Sequence, residues 1–160
     1  MIANRFSKIG SIPELEDADL KALLERVADY IAHRTSDKVK ISTHVPDSLP
    51  PVRLNVALFE WVIENLCKNA VDAMGGVGVL VISVQETSRY WCIDVADTGK
   101  GIDKRYFETV FAPGYTTKKR GWGLGLSLAR RIVVEYHSGS IFVKQSEINK
   151  GTIFRIELKK

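Results

Sequence analysis

The order in which two hydrophobic periods follow one another restricts the fold of this chain more than any other feature. From Asp17 an apolar stripe at helical spacing runs through Leu20, Leu23, Leu24, Val27 and Ile31, with Asp17 or Asp19 placed to cap it, and breaks down near Thr35. Val39, Ile41, Thr43 and Val45 then alternate as a strand does, before Pro46, Pro50 and Pro51 close that strand and force a loop. The stripe Leu58, Val62, Leu66, Ala70 and Ala73 predicts a second helix from about Asn55 to Met74, which Gly75, Gly76 and Gly78 stop. Strands at 79–85 and 90–96 follow, joined by the turn Thr87-Ser88-Arg89. After a glycine-bearing loop comes a short helical patch around Lys104–Thr109, then residues 112–123 with no period at all. A third helix is predicted over about Leu124–His137, ending at Ser138-Gly139, and 140–145 with 151–158 make a last antiparallel pair.

This order lacks the strict strand–helix alternation of a doubly wound parallel sheet. It predicts an α+β, two-layer sandwich: three main helices on one face of a mixed five-stranded sheet, with the other face more open. A length of 160 residues suits a single core, and 45% hydrophobic with 26% charged residues is ordinary for a chain that folds in water. No apolar run approaches the roughly 20 residues that span a bilayer, and no signal peptide opens the chain, so a cytoplasmic location is expected. Cys67 and Cys92 lie in apolar surroundings without metal-ligand spacing and read as reduced core residues. His33, His44 and His137 are far apart, and none has a partner at ligand spacing, which argues against zinc. The net charge of +4 is scattered except at Lys118-Lys119-Arg120 and Arg130-Arg131. It suits a small anion such as a nucleotide at least as well as a nucleic acid, and the aromatic–basic interleaving of single-strand binders is missing.

Three stretches carry chemistry. In Glu64-Asn65-Leu66-Cys67-Lys68-Asn69-Ala70, the two asparagines are i and i+4 and share a helix face. Asparagine is a poor helix former. The pair is either a solvated polar face or a set of carboxamides, and a carboxamide oxygen is a hard ligand suited to magnesium that already carries phosphate oxygens. Asp97-Thr98-Gly99-Lys100-Gly101-Ile102 follows an apolar strand directly. It is either a plain turn or a carboxylate set to accept from an exocyclic amine such as that of adenine, beside glycines that allow close backbone approach. Gly121-Trp122-Gly123-Leu124-Gly125-Leu126-Ser127 opens a helix. Glycine costs about 1 kcal/mol inside a helix, so this alternation belongs to a turn from which the helix grows, and amides there attract phosphate. No strand precedes these glycines, against a dinucleotide fingerprint, and no Gly-Lys-Ser/Thr follows, against a Walker A loop.

The order of these stretches, completed by Lys150-Gly151-Thr152-Ile153-Phe154, resembles the GHKL ATPase superfamily, which includes gyrase, Hsp90, MutL and the histidine kinases. The resemblance runs from about Leu20 to Leu158 and implies the Bergerat ATP-binding fold, with ATP and Mg2+ as cofactors. Phe107-Glu108-Thr109-Val110-Phe111-Ala112-Pro113, followed by Tyr115-Thr116-Thr117-Lys118, looks like the phenylalanine box and the start of the ATP lid of the histidine kinase branch. The closing YHSGSIFVKQ and KGTIFRIEL are similar to the last strands of kinase catalytic domains. The opening RFSKIGS resembles the tail of a dimerisation helix, which implies a linker and helix remnant at 1–16 and a catalytic domain at 17–160.

The resemblance implies the following roles. Asn69 is the magnesium ligand, and Asn65 supports it or the phosphates. Asp97 binds the adenine amino group, assisted by Gly99 and Gly101, with Ala73, Ile102 and Thr152 lining the purine end. Thr117, Lys118, Gly121, Gly123, Leu124, Gly125 and Leu126 belong to the lid and the phosphate grip. In the gyrase-like and Hsp90-like members, a glutamate four residues before the magnesium asparagine activates water; here that place is Asn65. Glu64 is one step away, which turns it by about 100° around the helix and away from the phosphate. The site is therefore expected to hold ATP for transfer to a histidine on a separate dimerisation domain, with a response regulator downstream. The parent protein can be anchored in the inner membrane, the isolated domain is expected to be a monomer, and no nucleic acid is implied. Alternatives are a nucleotide-gated dimerisation switch of the ATPase type and an anti-sigma-factor-like serine kinase. Asp72 departs from the lysine of one large kinase subgroup and is similar to the nitrogen-regulatory type. None of the three histidines has a phosphoacceptor context, so this chain is not expected to phosphorylate itself.

Overall fold

The computed structural model describes residues 13–115 and 124–160. Along the chain run β1 (Glu16–Ala18), α1 (Leu20–His33), β2 (Val39–His44), β3 (Val52–Leu54), α2 (Val56–Met74), β4 (Gly78–Glu86) and β5 (Tyr90–Asp97). Two short 3-10 turns follow, Lys104–Tyr106 and Thr109–Phe111. Then come α3 (Gly125–Arg131), β6 (Ser140–Glu147) and β7 (Gly151–Lys159). The five-stranded sheet has the order β2-β4-β5-β7-β6, with β2 parallel to β4 and the other pairs antiparallel. This is the two-layer, mixed-sheet architecture the order of periods predicts.

Local chemistry sets the helix ends. Of the two candidate caps for α1, Asp19 takes the role: its carboxylate accepts from the Ala22 N–H at 3.0 Å, while Asp17 lies in β1. Asn55 caps α2 through Leu58 N–H, and Gly75, in the left-handed conformation at φ 65°, ends it. The α2 stripe Leu58, Val62, Leu66 and Ala70, with Phe59, Ile63 and Cys67 beside it, is fully buried between α1 and the sheet. Each of the buried Leu, Val, Ile and Phe side chains contributes about 1.5–3 kcal/mol by leaving water. Cys67 and Cys92 are both buried and unbridged, as their surroundings suggest.

Two elements have no counterpart in the sequence reading. Val52–Leu54, straight after Pro50-Pro51, pairs antiparallel with Glu16–Ala18 in a small separate ribbon. The third helix widens after Arg131 into a π turn over Ile132–Tyr136. His137 closes that turn: its Nε2 accepts from the Asn55 N–H at 3.1 Å, so Nδ1 carries the proton and donates to the Ile132 carbonyl at 3.0 Å. Burial holds this imidazole below its ordinary pKa, and both nitrogens are occupied.

The sheet is two-sided. On the face toward the helices, the β5–β7 register sets Trp91 against Leu158, Ile93 against Ile156 and Val95 against Phe154. That apolar row ends in a polar pair, Asp97 against Thr152. On the opposite face Arg155 grips the Asp94 carboxylate with two bonds of 2.7 and 2.8 Å, and Lys144 Nζ stands 3.6 Å from it. Among the described residues no helix is long and apolar enough to cross a membrane.

Candidate functional site

The polar end of the core row is the floor of the site. Asp97 closes β5 and is only 8% exposed. Burial pushes its carboxyl pKa up, and hydrogen bonds from the backbone N–H groups of Gly99, at 2.8 Å, and Thr152 partly offset that. Two of the roughly four acceptor positions of the carboxylate are thereby taken, and burial leaves little for water.

The loop after Asp97 is clamped from two sides. Lys100 N–H donates to the Ala73 carbonyl at 2.9 Å, and the Lys100 carbonyl accepts from Asn149 N–H at 2.8 Å. A Cβ on Gly99 would lie 2.6 Å from the Ala73 carbonyl, and one on Gly101, where φ is +78°, would lie 2.2 Å from the Glu147 carbonyl. The backbone of α2 and of the β6–β7 turn already fills the space that a side chain would need. These glycines therefore serve the closeness of protein to protein. Ile102 N–H donates to Ser146 Oγ at 2.7 Å, tying the far end of the loop to β6.

The other end lies along α2. Asn65, Asn69 and Ala73 follow one another at i, i+4 and i+8 on one face, about 12 Å from first to last. Ala73 meets the Asp97 loop, whereas Asn65 meets α3: a Cβ on Gly125 would come within 2.5 Å of Asn65 Oδ1. Asn69, half-buried, stands midway. Among the described residues Asn65 Nδ2 is buried without a hydrogen-bond partner, a state that costs about 1–3 kcal/mol if nothing fills it. Leu124 and Leu126 flank the start of α3, which no side chain caps. The Asp97 loop and Gly125 thus meet α2 near opposite ends of the face that carries Asn65, Asn69 and Ala73. Thr117, Lys118, Gly121 and Gly123 lie outside the described residues, as does the RFSKIGS opening.

The phenylalanine box packs against β7 and α3. Val110 and Phe111 are buried, Phe111 packs edge-on to Phe154 at 6.0 Å, and Arg130 of α3 reaches back to Glu108 at 2.8 Å and lies 5.1 Å above the Phe111 ring. Arg130 was legible only as part of a basic pair. Glu64 lines a hollow of about 350 Å3 between α1 and α2, with Arg26, Tyr30, His33 and Glu60. Among the described residues, no glycine and no residue of the Asp97 loop or of α3 lines that hollow. Neither Ser146, which bonds Ile102 and Thr152, nor its reach into the floor of the site shows in a residue pattern.

A buried carboxylate at the end of β5, a helix face of carboxamides and a glycine at the opening of α3, set on a two-layer sandwich, are the features that the GHKL resemblance implies. A family profile described as histidine kinase-, DNA gyrase B- and HSP90-like ATPase matches residues 55–160. The chain belongs to this family. It is 32% identical over 145 residues to the sensor histidine kinase ZraS of Escherichia coli (strain K12), a match that covers 90% of this chain and 31% of that protein. It therefore spans about a third of the length of such relatives. Among solved structures, the nucleotide-free catalytic domain of the histidine kinase ThkA superposes with a TM-score of 0.79 at 26% identity, over 92% of this chain and 96% of that one. ThkA in complex with the response regulator TrrA gives 0.80 at 23% identity, over 99% of this chain and 45% of that one, which concerns the fold alone.

Proposed function

We propose that this domain binds Mg-ATP and presents its γ-phosphoryl group to a histidine on a separate dimerisation domain in two-component signalling. The observation that carries the reading is the arrangement along α2: a buried carboxylate at one end, carboxamides at the other, and no carboxylate where a hydrolytic member of the family needs one. Asp97 accepts from the adenine amino group. Asn65 donates its unpaired Nδ2 to phosphate oxygens, and the close approach of Gly125 keeps that carboxamide in place.

The donor set suits a hard divalent ion. Among the described residues no cluster of three or more His, Cys, Asp or Glu is present; an ion here would be held by the Asn69 side-chain carboxamide oxygen together with the nucleotide's own oxygens. Bound there, magnesium supplies charge neutralisation of the transferring phosphoryl group. The protein's own share is to orient the nucleotide and to keep a base away from it. Glu64 supports this by standing in the α1–α2 hollow. His137 spends both ring nitrogens on the fold and His33 bonds the Asp29 carbonyl through Nδ1, so the acceptor histidine is sought elsewhere in the parent protein. A response regulator as downstream partner, a monomeric isolated domain, and residues 1–16 as the link to the dimerisation helix belong to the same reading.

Titration of a fluorescent ATP analogue, with and without magnesium, tests it. Asp97→Ala is expected to weaken binding at least about a hundredfold, since it leaves the purine amine and two backbone donors unpaired. Equal binding by both proteins removes the adenine assignment. Brisk steady-state hydrolysis by the wild-type chain favours the ATPase reading instead.

A further inference from the structure

From Ile141 to Val143, β6 keeps strict alternation: both side chains join the core, opposite Ile156 and Phe154. If that alternation continued, residue 145 would face the helices and residue 146 the open side. It does not continue, because the register slips between Val143 and Gln145, two residues of β6 standing where β7 advances by one. Lys144 is left on the open face, near Asp94, and Gln145 pairs with Ile153 on that face. The bulge turns Ser146 inward, directly opposite Thr152, which is itself opposite Asp97.

Ser146 is then saturated. A hydroxyl has one proton to give and two lone pairs. Ser146 Oγ accepts from Ile102 N–H at 2.7 Å, contacts the Gly151 carbonyl at 3.0 Å and lies 2.7 Å from Thr152 Oγ1. A carbonyl can only accept, so the single Ser146 proton goes to Gly151. The contact with Thr152 is then made by the Thr152 proton. This assignment alone satisfies all three contacts. It fixes the polarity of Thr152, which is 4% exposed and stands opposite Asp97 in the register: with its proton committed to Ser146, Thr152 Oγ1 has only lone pairs left to offer.

We infer that Ser146 is a positioning residue for base selection: by holding the Thr152 hydroxyl as an acceptor, it makes the floor of the site, Thr152 and Asp97 together, complementary to a 6-aminopurine and hostile to a 6-oxopurine. The inference rests on the assignment of Asp97 to the adenine amine. Two acceptors side by side welcome an exocyclic N–H2 and repel a carbonyl oxygen. Were the Thr152 proton free to rotate, it would donate to that oxygen and weaken the discrimination. Ser146 acts through Thr152 and touches no nucleotide itself.

The test is competition of ATP and of inosine triphosphate against a fluorescent ATP analogue on the 160-residue chain. The wild type is compared with Ser146→Ala, Ser146→Thr and Thr152→Val. Ser146→Ala is expected to lower the ATP-over-inosine preference about tenfold, the loss of one well-placed polar contact, while Ser146→Thr, which retains the hydroxyl, stays within about twofold of wild type. A merely structural Ser146 weakens both nucleotides equally and leaves their ratio unchanged; that result overturns the inference. If Ser146→Ala does not fold, Thr152→Val decides the matter, because it removes the acceptor from the same place and must lower the same ratio. Asp97→Ala separates the two failures. If it binds ATP as wild type does, the purine reading itself falls. If it binds poorly while the Ser146 and Thr152 variants keep the wild-type ratio, only the selection role falls.

Discussion

On the proposed function one end of the α2 face takes the purine and the other the phosphates, and the two are built on opposite plans. At the purine end the protein satisfies itself: Asp97, Thr152, Ser146 and the Lys100 backbone are all bonded within the chain, and glycines press loop against backbone. At the phosphate end, among the described residues, a carboxamide nitrogen is buried with no partner and α3 begins without a capping side chain. The first region is held by bonds within the chain, while the second keeps polar capacity for a ligand. On this reading shape recognition belongs to one end and charge recognition to the other, and each end should fail in its own way.

The largest effect is expected from Gly101→Ala. Its φ of +78° and the 2.2 Å approach to the Glu147 carbonyl leave a Cβ nowhere to go, since the obstacle is backbone. A loss of stability of about 2–4 kcal/mol, read by denaturant unfolding, accompanies loss of nucleotide binding, because loop and hairpin part together. An unchanged unfolding midpoint would show that the purine end is more yielding than described here. Gly125→Ala should instead spare stability and strike the phosphate end: the new methyl presses on Asn65 Oδ1, and Mg-ATP affinity is expected to drop about tenfold while adenosine binding stays the same. Equal losses for adenosine and Mg-ATP would erase the distinction between the two ends.

A smaller effect separates them by pH. The Asp97 carboxyl is shifted upward, so the folded chain holds that proton more tightly than the unfolded one. Stability from this group is present below the ordinary carboxylate value of 3.8 and is lost as pH rises through the shifted value. Asp97→Asn should therefore raise the melting temperature at pH 7 by a few degrees, roughly 2–4 °C, and not at pH 3, while ATP binding weakens. A variant less stable than wild type at pH 7 would mean that the hydrogen bonds from Gly99 and Thr152 outweigh burial. The smallest change is expected for Asn65→Ala, which removes an unpaired group: stability within about 0.5 kcal/mol of wild type, with a several-fold loss of Mg-ATP affinity.

Much of this was legible in the sequence, for a physical reason. Elements long enough to show several periods, such as α2 and the β4–β5 pair, announce themselves by the spacing of Leu58, Val62 and Leu66 or of Ile93 and Val95. The ribbon Val52–Leu54 is too short to show a period and sits behind two prolines. The π turn is set by His137 bonding Ile132 and Asn55, contacts that no local pattern records. At the site, Asp97 and Thr152 stand opposite each other in the β5–β7 register, and Gly125 meets Asn65. What could not be read was the reason for the glycines. Gly101 faces Glu147, and that neighbour is fixed by a hairpin closing from far along the chain.

The slip in β6 makes one stretch of this protein sensitive to arithmetic rather than to chemistry. Deleting Lys144 would remove the extra residue and leave a regular strand: after Val143 on the helix side, Gln145 would still face the open side and Ser146 would still stand inward, opposite Thr152. Adding a residue between Gln145 and Ser146 has the opposite result, turning Ser146 outward and breaking its match with Thr152. One residue can be lost at the slip and none gained after it, so in diverging copies of the domain this strand should occur with or without the extra residue while the count from Ser146 to the hairpin stays fixed.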